Sequence, residues 1–324
     1  MLARLLRFTY LVQFLTGALI GAWGAAELAP TWSATWLALS LLAGLGWIVF
    51  WQAVIIGMSM LQSRAAGPLG PWLKAAWGEF NSALLIFGLR MPWTTSHPGI
   101  LMPMGQPSAG KTALPILLVH GFLCNHRVWD KVVGALRQAG HPVLTVDLEP
   151  IFTSIDDYTT QIERAICHLK SATGSPQVSL VGHSMGGLVI RAWLRAHGTQ
   201  QVAKIITLGT PHQGTQATQW LTTPNGAQMT WQSNWLSELA HAESPTTREL
   251  MHLGLTRHDN IVHPQREQTL AGASVTEFSG IGHLQMCLDD DVIAWVRQLV
   301  AATNSNITPN ELRKQQFATG KPTT

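Results

Sequence analysis

Charge is what this chain has least of. Only 12% of its 324 residues are Asp, Glu, Lys or Arg, against 46% hydrophobic, where a soluble domain carries about 25% charged residues. The shortage is local: from Phe8 to Ser63 the only acidic or basic side chain is Glu27. The net charge is +3, and no basic face with interleaved aromatics is present, so nucleic acid is excluded as an expected partner. Cysteine is also scarce. Cys124, Cys167 and Cys287 are odd in number, far apart and outside any CxxC pair. That excludes a disulfide framework and a cysteine zinc site.

The uncharged stretch falls into two apolar runs, residues 5–29 and 35–61, each long enough to cross a bilayer as a helix of about 20 residues. The segment Glu27-Leu28-Ala29-Pro30-Thr31-Trp32 reads as a turn between them, with Trp23, Trp32 and Trp36 around it as an interfacial belt. Arg4 and Arg7 precede the first run, and Arg64 and Lys74 follow the second. The positive-inside rule then keeps both ends in the cytoplasm. Two rival readings exist: residues 1–26 as a cleaved signal peptide ending at Gly24-Ala25-Ala26, or a helical hairpin buried in a soluble protein. Residues 72–93 mix Trp72, Trp77 and Trp93 with Lys74, Glu79 and Arg90. A third span would bury Glu79 and Asn81 at a cost of several kcal/mol, so this stretch is expected to lie against the headgroups. Residues 1–93 thus form the expected membrane anchor, with 94–112, rich in Pro, Gly and Ser, as linker.

From Ala113 the texture alternates. Apolar runs at Leu114–Val119, Val143–Val146, Val178 onward and Val202–Leu208 are separated by helical patterns at Trp129–Ala139, Ile155–Ser171 and Ser184 to about His197. That order predicts an α/β domain: a mostly parallel sheet with helices on both faces. Residues 212–250 break the rhythm, carrying Trp220, Trp231 and Trp235 without a strand pattern. They are expected to form a cap-like insertion, or alternatively a surface loop. Val275–Phe278 is a last strand, Asp291–Ala302 a closing helix, and 304–324 a polar tail.

The central stretch is Val178-Ser179-Leu180-Val181-Gly182-His183-Ser184-Met185-Gly186-Gly187. A buried strand that stops at Gly-x-Ser-x-Gly and turns at once into a helix holds its serine on a strained elbow with the hydroxyl exposed. A serine needs a base, and the base an orienting acid; on such sheets they follow the serine in the order acid, then histidine. Asp259 and His283 fit that order. His258 and His263 beside the acid, His183 beside the serine and His212 after a Thr-Pro turn are weaker candidates. Asp289, Asp290 and Asp291 are better explained as capping the last helix. An oxyanion would be met by the N–H of Met185 and a second one, from Phe122, in the turn His120-Gly121-Phe122. His120, Gly121, His183, Trp220 and Trp231 are expected around the substrate. Cys124 lies close by without an activating partner and reads as packing.

His120-Gly121-Phe122, Gly182-His183-Ser184-Met185-Gly186-Gly187, Leu208-Gly209-Thr210-Pro211-His212-Gln213-Gly214-Thr215, Asp259-Asn260-Ile261-Val262 and Gly282-His283-Leu284 together resemble the bacterial lipase/esterase branch of the α/β-hydrolase superfamily over residues 113–303. The resemblance implies an α/β-hydrolase fold, which the apolar runs at 5–29 and 35–61 would precede as a transmembrane helical hairpin. It also implies a serine esterase, with Ser184 as nucleophile, His283 as base and Asp259 as acid. The expected location is the bacterial inner membrane, with the hydrolase domain on the cytoplasmic side. The expected substrate is a lipid or another ester, with the bilayer as surroundings and no obligatory protein partner. No cofactor is expected. No acidic residue closely follows His283 as in the calcium-binding lipases, so no metal is expected either. The chain departs from that branch in carrying a hydrophobic anchor in place of a simple secretion signal, and its usual early strands are not evident. Acyl transfer or thioester cleavage on the same triad, and a non-catalytic membrane scaffold, are the alternatives.

Overall fold

The computed structural model describes residues 1–28, 34–93, 97, 99–104 and 113–302. The apolar runs form two long helices, α1 (Leu2–Leu28) and α2 (Ala34–Gln62). Gly17 faces Ala43 and Trp47, and Gly21 faces Ser40 and Ala43, so the pair runs antiparallel. Small residues let the backbones approach: a Cβ on Gly17 would come within 2.8 Å of the Ala43 carbonyl oxygen. The outward faces stay apolar and open, with Phe8, Leu19, Leu37 and Leu42 all more than 60% exposed. Glu27 and Leu28 of the expected turn belong to the end of α1; its remaining residues, 29–32, and the tail 304–324 lie outside the described residues.

A third helix, α3 (Leu69–Ala83), continues as a π-helical stretch, Leu84–Arg90. Its inner face is built into the body of the α/β domain: Ala75, Glu79, Ala83, Ile86 and Met91 are buried, while Leu69, Leu73, Trp77, Leu89 and Trp93 face outward. A helix lying against headgroups accounts for that outer face. It does not account for the inner one, because Glu79 is bound by the domain rather than solvated. The expected linker also hides a strand, since Ile100–Leu101 (β1) pairs antiparallel with the residues 143–144.

The sheet has seven strands in the order β1-β3-β2-β4-β5-β6-β7. After β1 come β2 (Ile116–Val119), β3 (Val143–Thr145), β4 (Val178–His183), β5 (Val202–Leu208), β6 (Met251–Thr256) and β7 (Ser274–Phe278), all parallel. Strand side chains alternate between faces. Ile116, Leu118, Val181 and Ile206 pack on one side against α4 (Asp130–Gln138) and the last helix, Asp290–Ala302. Leu117, Val119, Leu180 and Ile205 pack on the other against α5 (Thr159–Thr173) and α6 (Met185–His197). Both faces are covered, which is why these strands read as continuous apolar runs. Residues 212–250 form short helices α7 (Pro224–Gln228), α8 (Asn234–His241) and α9 (Pro245–Glu249), followed after β7 by α10 (Asp290–Ala302). The insertion is tied down: Asn225 Nδ2 donates to the Ile151 carbonyl at 2.7 Å and Trp235 Nε1 to Asp156 at 2.8 Å.

The chain leaves β2 for β3 on one side and later adds β4 on the other. The crevice outside the carboxyl ends of β2 and β4 is therefore the topological switch point, where such sheets hold ligands.

Candidate active site

Register builds the site. Val119 pairs with Gly182, so the residues that follow, His120-Gly121 and His183-Ser184, emerge side by side. Ser184 takes φ 54° and ψ −128° between β4 and α6, a strained conformation for a side chain, costing about 1–3 kcal/mol. It is held by its N–H on the Leu208 carbonyl at 2.9 Å. The elbow closes only with glycine at position 186, because a Cβ there would collide with the Val119 carbonyl oxygen. Gly121 is equally constrained: a Cβ would stand 2.7 Å from Ser184 Cβ and 3.2 Å from its Oγ.

Asp259 follows β6 and His283 follows β7, and His283 Nδ1 lies 2.8 Å from Asp259 Oδ2. The other carboxylate oxygen accepts from the N–H groups of Ile261 (2.9 Å) and Val262 (2.6 Å). Burial alone would lower the His283 pKa, but the Asp259 charge and hydrogen bond, with Glu79 behind, raise it. His183 is 1% exposed. Its ring stacks at an angle on that of His283 with centroids 4.6 Å apart, and its Nε2 bonds the His283 carbonyl at 3.1 Å. Burial and the neighbouring imidazole hold its pKa well below the ordinary value, so it is a neutral support beneath His283. The structure thus places His183 against His283, on the side of the ring that its Nε2 contact defines.

His120 is likewise buried. Its Nδ1 bonds the Gly121 carbonyl at 2.8 Å and its Nε2 accepts the Leu148 N–H at 3.0 Å, so both ring nitrogens are used in shaping the turn. Phe122, half-buried, packs edge-on against Phe152. Among the described residues, the backbone N–H groups of Phe122 and Met185 have no hydrogen-bond acceptor. Cys124 is buried, and burial with the nearby Glu79 pushes its thiol up to about 12. That leaves it protonated and fits the packing role. Trp220 is 83% exposed on the insertion, and Trp231, half-buried, donates its N–H to the Thr215 carbonyl at 3.2 Å. His212, a weaker candidate, is fixed away from the acid–base pair by Thr207 Oγ1 at 3.0 Å and the Arg191 guanidinium.

Neither Glu79 nor Asn260 is among the site candidates that the sequence offers, although Asn260 lies in the Asp259-Asn260-Ile261-Val262 motif. Glu79 accepts the N–H groups of Leu284 and Gln285, and Asn260 Oδ1 that of His283. A lone carboxylate in an apolar, tryptophan-rich stretch was the only signal for the first. No cluster of metal-ligating side chains occurs among the described residues.

The PGAP1-like alpha/beta domain matches residues 151–308. A triacylglycerol lipase of Pseudarthrobacter phenanthrenivorans is 33% identical over 114 residues, covering 32% of this chain and 35% of the relative. One of Burkholderia plantarii is also 33% identical over 114 residues, covering 32% and 31%. The chain thus spans about a third of the length of these curated relatives. The crystal structure of a mature Bacillus licheniformis lipase superposes with a TM-score of 0.54 at 17% identity, covering 64% of this chain and 99% of that one. The chain has the α/β-hydrolase fold, and its similarities lie in the lipase/esterase branch of that superfamily.

Proposed function

We propose that the protein is a membrane-anchored serine hydrolase that cleaves carboxylic esters, chiefly acyl esters of lipids. The observation that carries this reading is the meeting of Asp259 and His283 at 2.8 Å beside a strained Ser184, with two unpaired backbone donors in the adjoining turns.

Each residue then has a role. His283, its Nδ1 proton held by Asp259, takes the Ser184 proton on Nε2 as Oγ attacks the ester carbonyl. The N–H groups of Phe122 and Met185 receive the oxyanion, where each donor is worth about 3 kcal/mol. Collapse expels the alcohol, protonated by His283, and leaves an acyl-serine. Water, activated by the same histidine, releases the acid. Attack by a second alcohol instead would make the protein an acyltransferase.

The two long helices support membrane attachment through length, apolar exposure and the lack of charge along them. Arg4, Arg7, Arg64 and Lys74 flank their hydrolase-proximal ends, which supports a cytoplasmic hydrolase domain.

The test is hydrolysis of a chromogenic ester series, from short to long acyl chains, by detergent-solubilised protein beside Ser184→Ala. The reading expects turnover abolished in the variant, activity rising with chain length, and fluorophosphonate labelling that requires Ser184. Activity confined to short chains would remove the lipid assignment. Equal behaviour of the two proteins would remove catalysis and leave a scaffold.

A further inference from the structure

The hydrolase reading leaves one buried carboxylate without a task. Glu79 on α3 is 2% exposed, and burying a carboxylate costs several kcal/mol unless it is fully bound. It is bound. Oε1 accepts the Leu284 N–H and Oε2 the Gln285 N–H, each at 3.0 Å, across more than 200 residues of sequence. The preceding N–H, that of His283, goes to Asn260 Oδ1 at 3.3 Å, and Asn260 Nδ2 donates in turn to Ser59 Oγ on α2 at 2.9 Å. Successive backbone donors at 283, 284 and 285 are thus all held by side chains, and the holders lead back to α2 and α3. Gly282 completes the fit, because a Cβ there would stand 2.7 Å from Glu79 Cβ.

We propose that Glu79 is a positioning residue for His283, holding the backbone on which the base is mounted and placing a negative charge behind its ring. The N-terminal helices then complete the active site in addition to carrying it. The inference rests on the hydrolase reading above. A purely structural role, capping the short turn Leu284–Cys287, makes the opposite prediction for the charge: it needs an acceptor but no anion.

The groups facing His283 are Asp259 from the loop after β6, His183 from the end of β4, and Glu79 from α3. Cys124 and Cys287 face Glu79 and are held neutral by burial. Burial raises the Glu79 pKa, while the His283 charge and the N–H groups of Leu284 and Gln285 oppose that rise. With both oxygens accepting backbone N–H groups the turn favours the carboxylate, and replacing it by a neutral amide lowers the His283 pKa while Asp259 stays in place.

The experiment uses the full chain in detergent with Glu79→Gln, Glu79→Ala and Gly282→Ala. It reads kcat and KM on a short-chain chromogenic ester, the pH profile of kcat/KM, and the titration of His283 by NMR of ring-labelled histidine, assigned with His283→Gln. Glu79→Gln, which keeps size and one acceptor, is expected to lower kcat about tenfold or more with KM within about threefold. The acidic limb and the His283 titration should both move to lower pH. Gly282→Ala, which pushes the carboxylate away, should act in the same direction if Glu79→Ala fails to fold. A Glu79→Gln protein with kcat within about twofold of the parent and an unmoved His283 titration overturns the proposal, even if it melts earlier. Should the parent show no Ser184-dependent turnover, the hydrolase reading fails, and the NMR titration still decides whether Glu79 acts on His283.

Discussion

Replacing Asp259 by asparagine tests the acid–base pair most sharply, because the surrounding backbone decides which way the new amide points. Asp259 Oδ1 accepts the N–H groups of Ile261 at 2.9 Å and Val262 at 2.6 Å, while Oδ2 faces His283 Nδ1 at 2.8 Å. In Asp259→Asn the amide oxygen can stay on the two N–H groups, which turns the NH2 toward His283. The flipped amide would keep an acceptor for His283 but aim the NH2 at two N–H donors. That exchanges two hydrogen bonds for one and leaves buried donors unpaired, at about 1–3 kcal/mol each. The first orientation wins by about 2 kcal/mol or more. His283 Nδ1 must then accept, its proton moves to Nε2, and the nitrogen that should receive the Ser184 proton is already occupied. The expected loss is about 10⁴-fold in kcat, with a melting temperature close to the parent's and KM little changed. Ester hydrolysis and the rate of fluorophosphonate labelling at Ser184 both report it. A variant retaining more than about a tenth of the parent kcat would refute the tautomer argument.

Three further expectations follow from buried charge. Catalysis requires neutral His283, whose pKa is raised by Asp259 and Glu79 against the effect of burial, so kcat/KM should fall with acid through a midpoint above the ordinary imidazole value of about 6.5; a midpoint at or below that value would contradict the assignment. Stability follows opposite signs: the raised His283 stabilises the fold below its unfolded pKa and loses that contribution as pH rises through its folded pKa. His183 and His212, held well below the ordinary value chiefly by burial, contribute stability that is lost as pH falls below about 6.5. Melting scans of Ser184→Ala across that range should show both arms. Finally, Glu243 and Arg191, with side chains 3% and 0% exposed, form a buried ion pair that Arg248 joins. Glu243→Gln should cost about 3–5 kcal/mol by leaving a buried guanidinium uncompensated, read as a lower melting temperature, whereas a loss under about 1 kcal/mol would mean that water reaches the pair.

The parts of this fold legible in the sequence are those whose chemistry is local. The Ser184 elbow demands glycine on both sides, and strands covered on both faces must be apolar throughout, so β4 and β5 declare themselves. Asp259 and His283 could be placed because their order after the serine follows from strand order. What escaped is tertiary. Met251–Thr256 is not picked out as a strand because His252 and Gly254 dilute its apolar pattern, and Ile100–Leu101 is too short to stand out from prolines and glycines. His183 and His120 are visibly next to the site, yet the bonds that orient their rings are made with neighbours 100 and 28 residues away, respectively. Glu79 is the extreme case. Local reasoning sees only the cost of burying it, and the N–H groups that offset the cost lie at the far end of the chain.

The loops that carry the site and the ends of the long helices meet on one side of the molecule. Asn260 and Gln265, after β6, bond Ser59 and the Ser63 carbonyl at the end of α2. Met1, Arg4 and Arg7 at the start of α1 line a cavity of about 400 Å³ with Cys124 and Asn125 after β2 and Asp147 after β3. Both helix ends therefore approach the carboxyl edge of the sheet, where Ser184 and His283 stand. If α1 and α2 span a bilayer, that edge is presented to its surface. Drawing an acyl chain fully into water costs about 0.8 kcal/mol per methylene, which for a long-chain lipid would dominate the barrier to reaching a site elsewhere on the domain. A site at the helix ends receives the ester carbonyl at headgroup depth while most of the chain stays in hydrocarbon. Under the proposed function, the side of the sheet on which α1 and α2 attach thus bears directly on which esters Ser184 could reach.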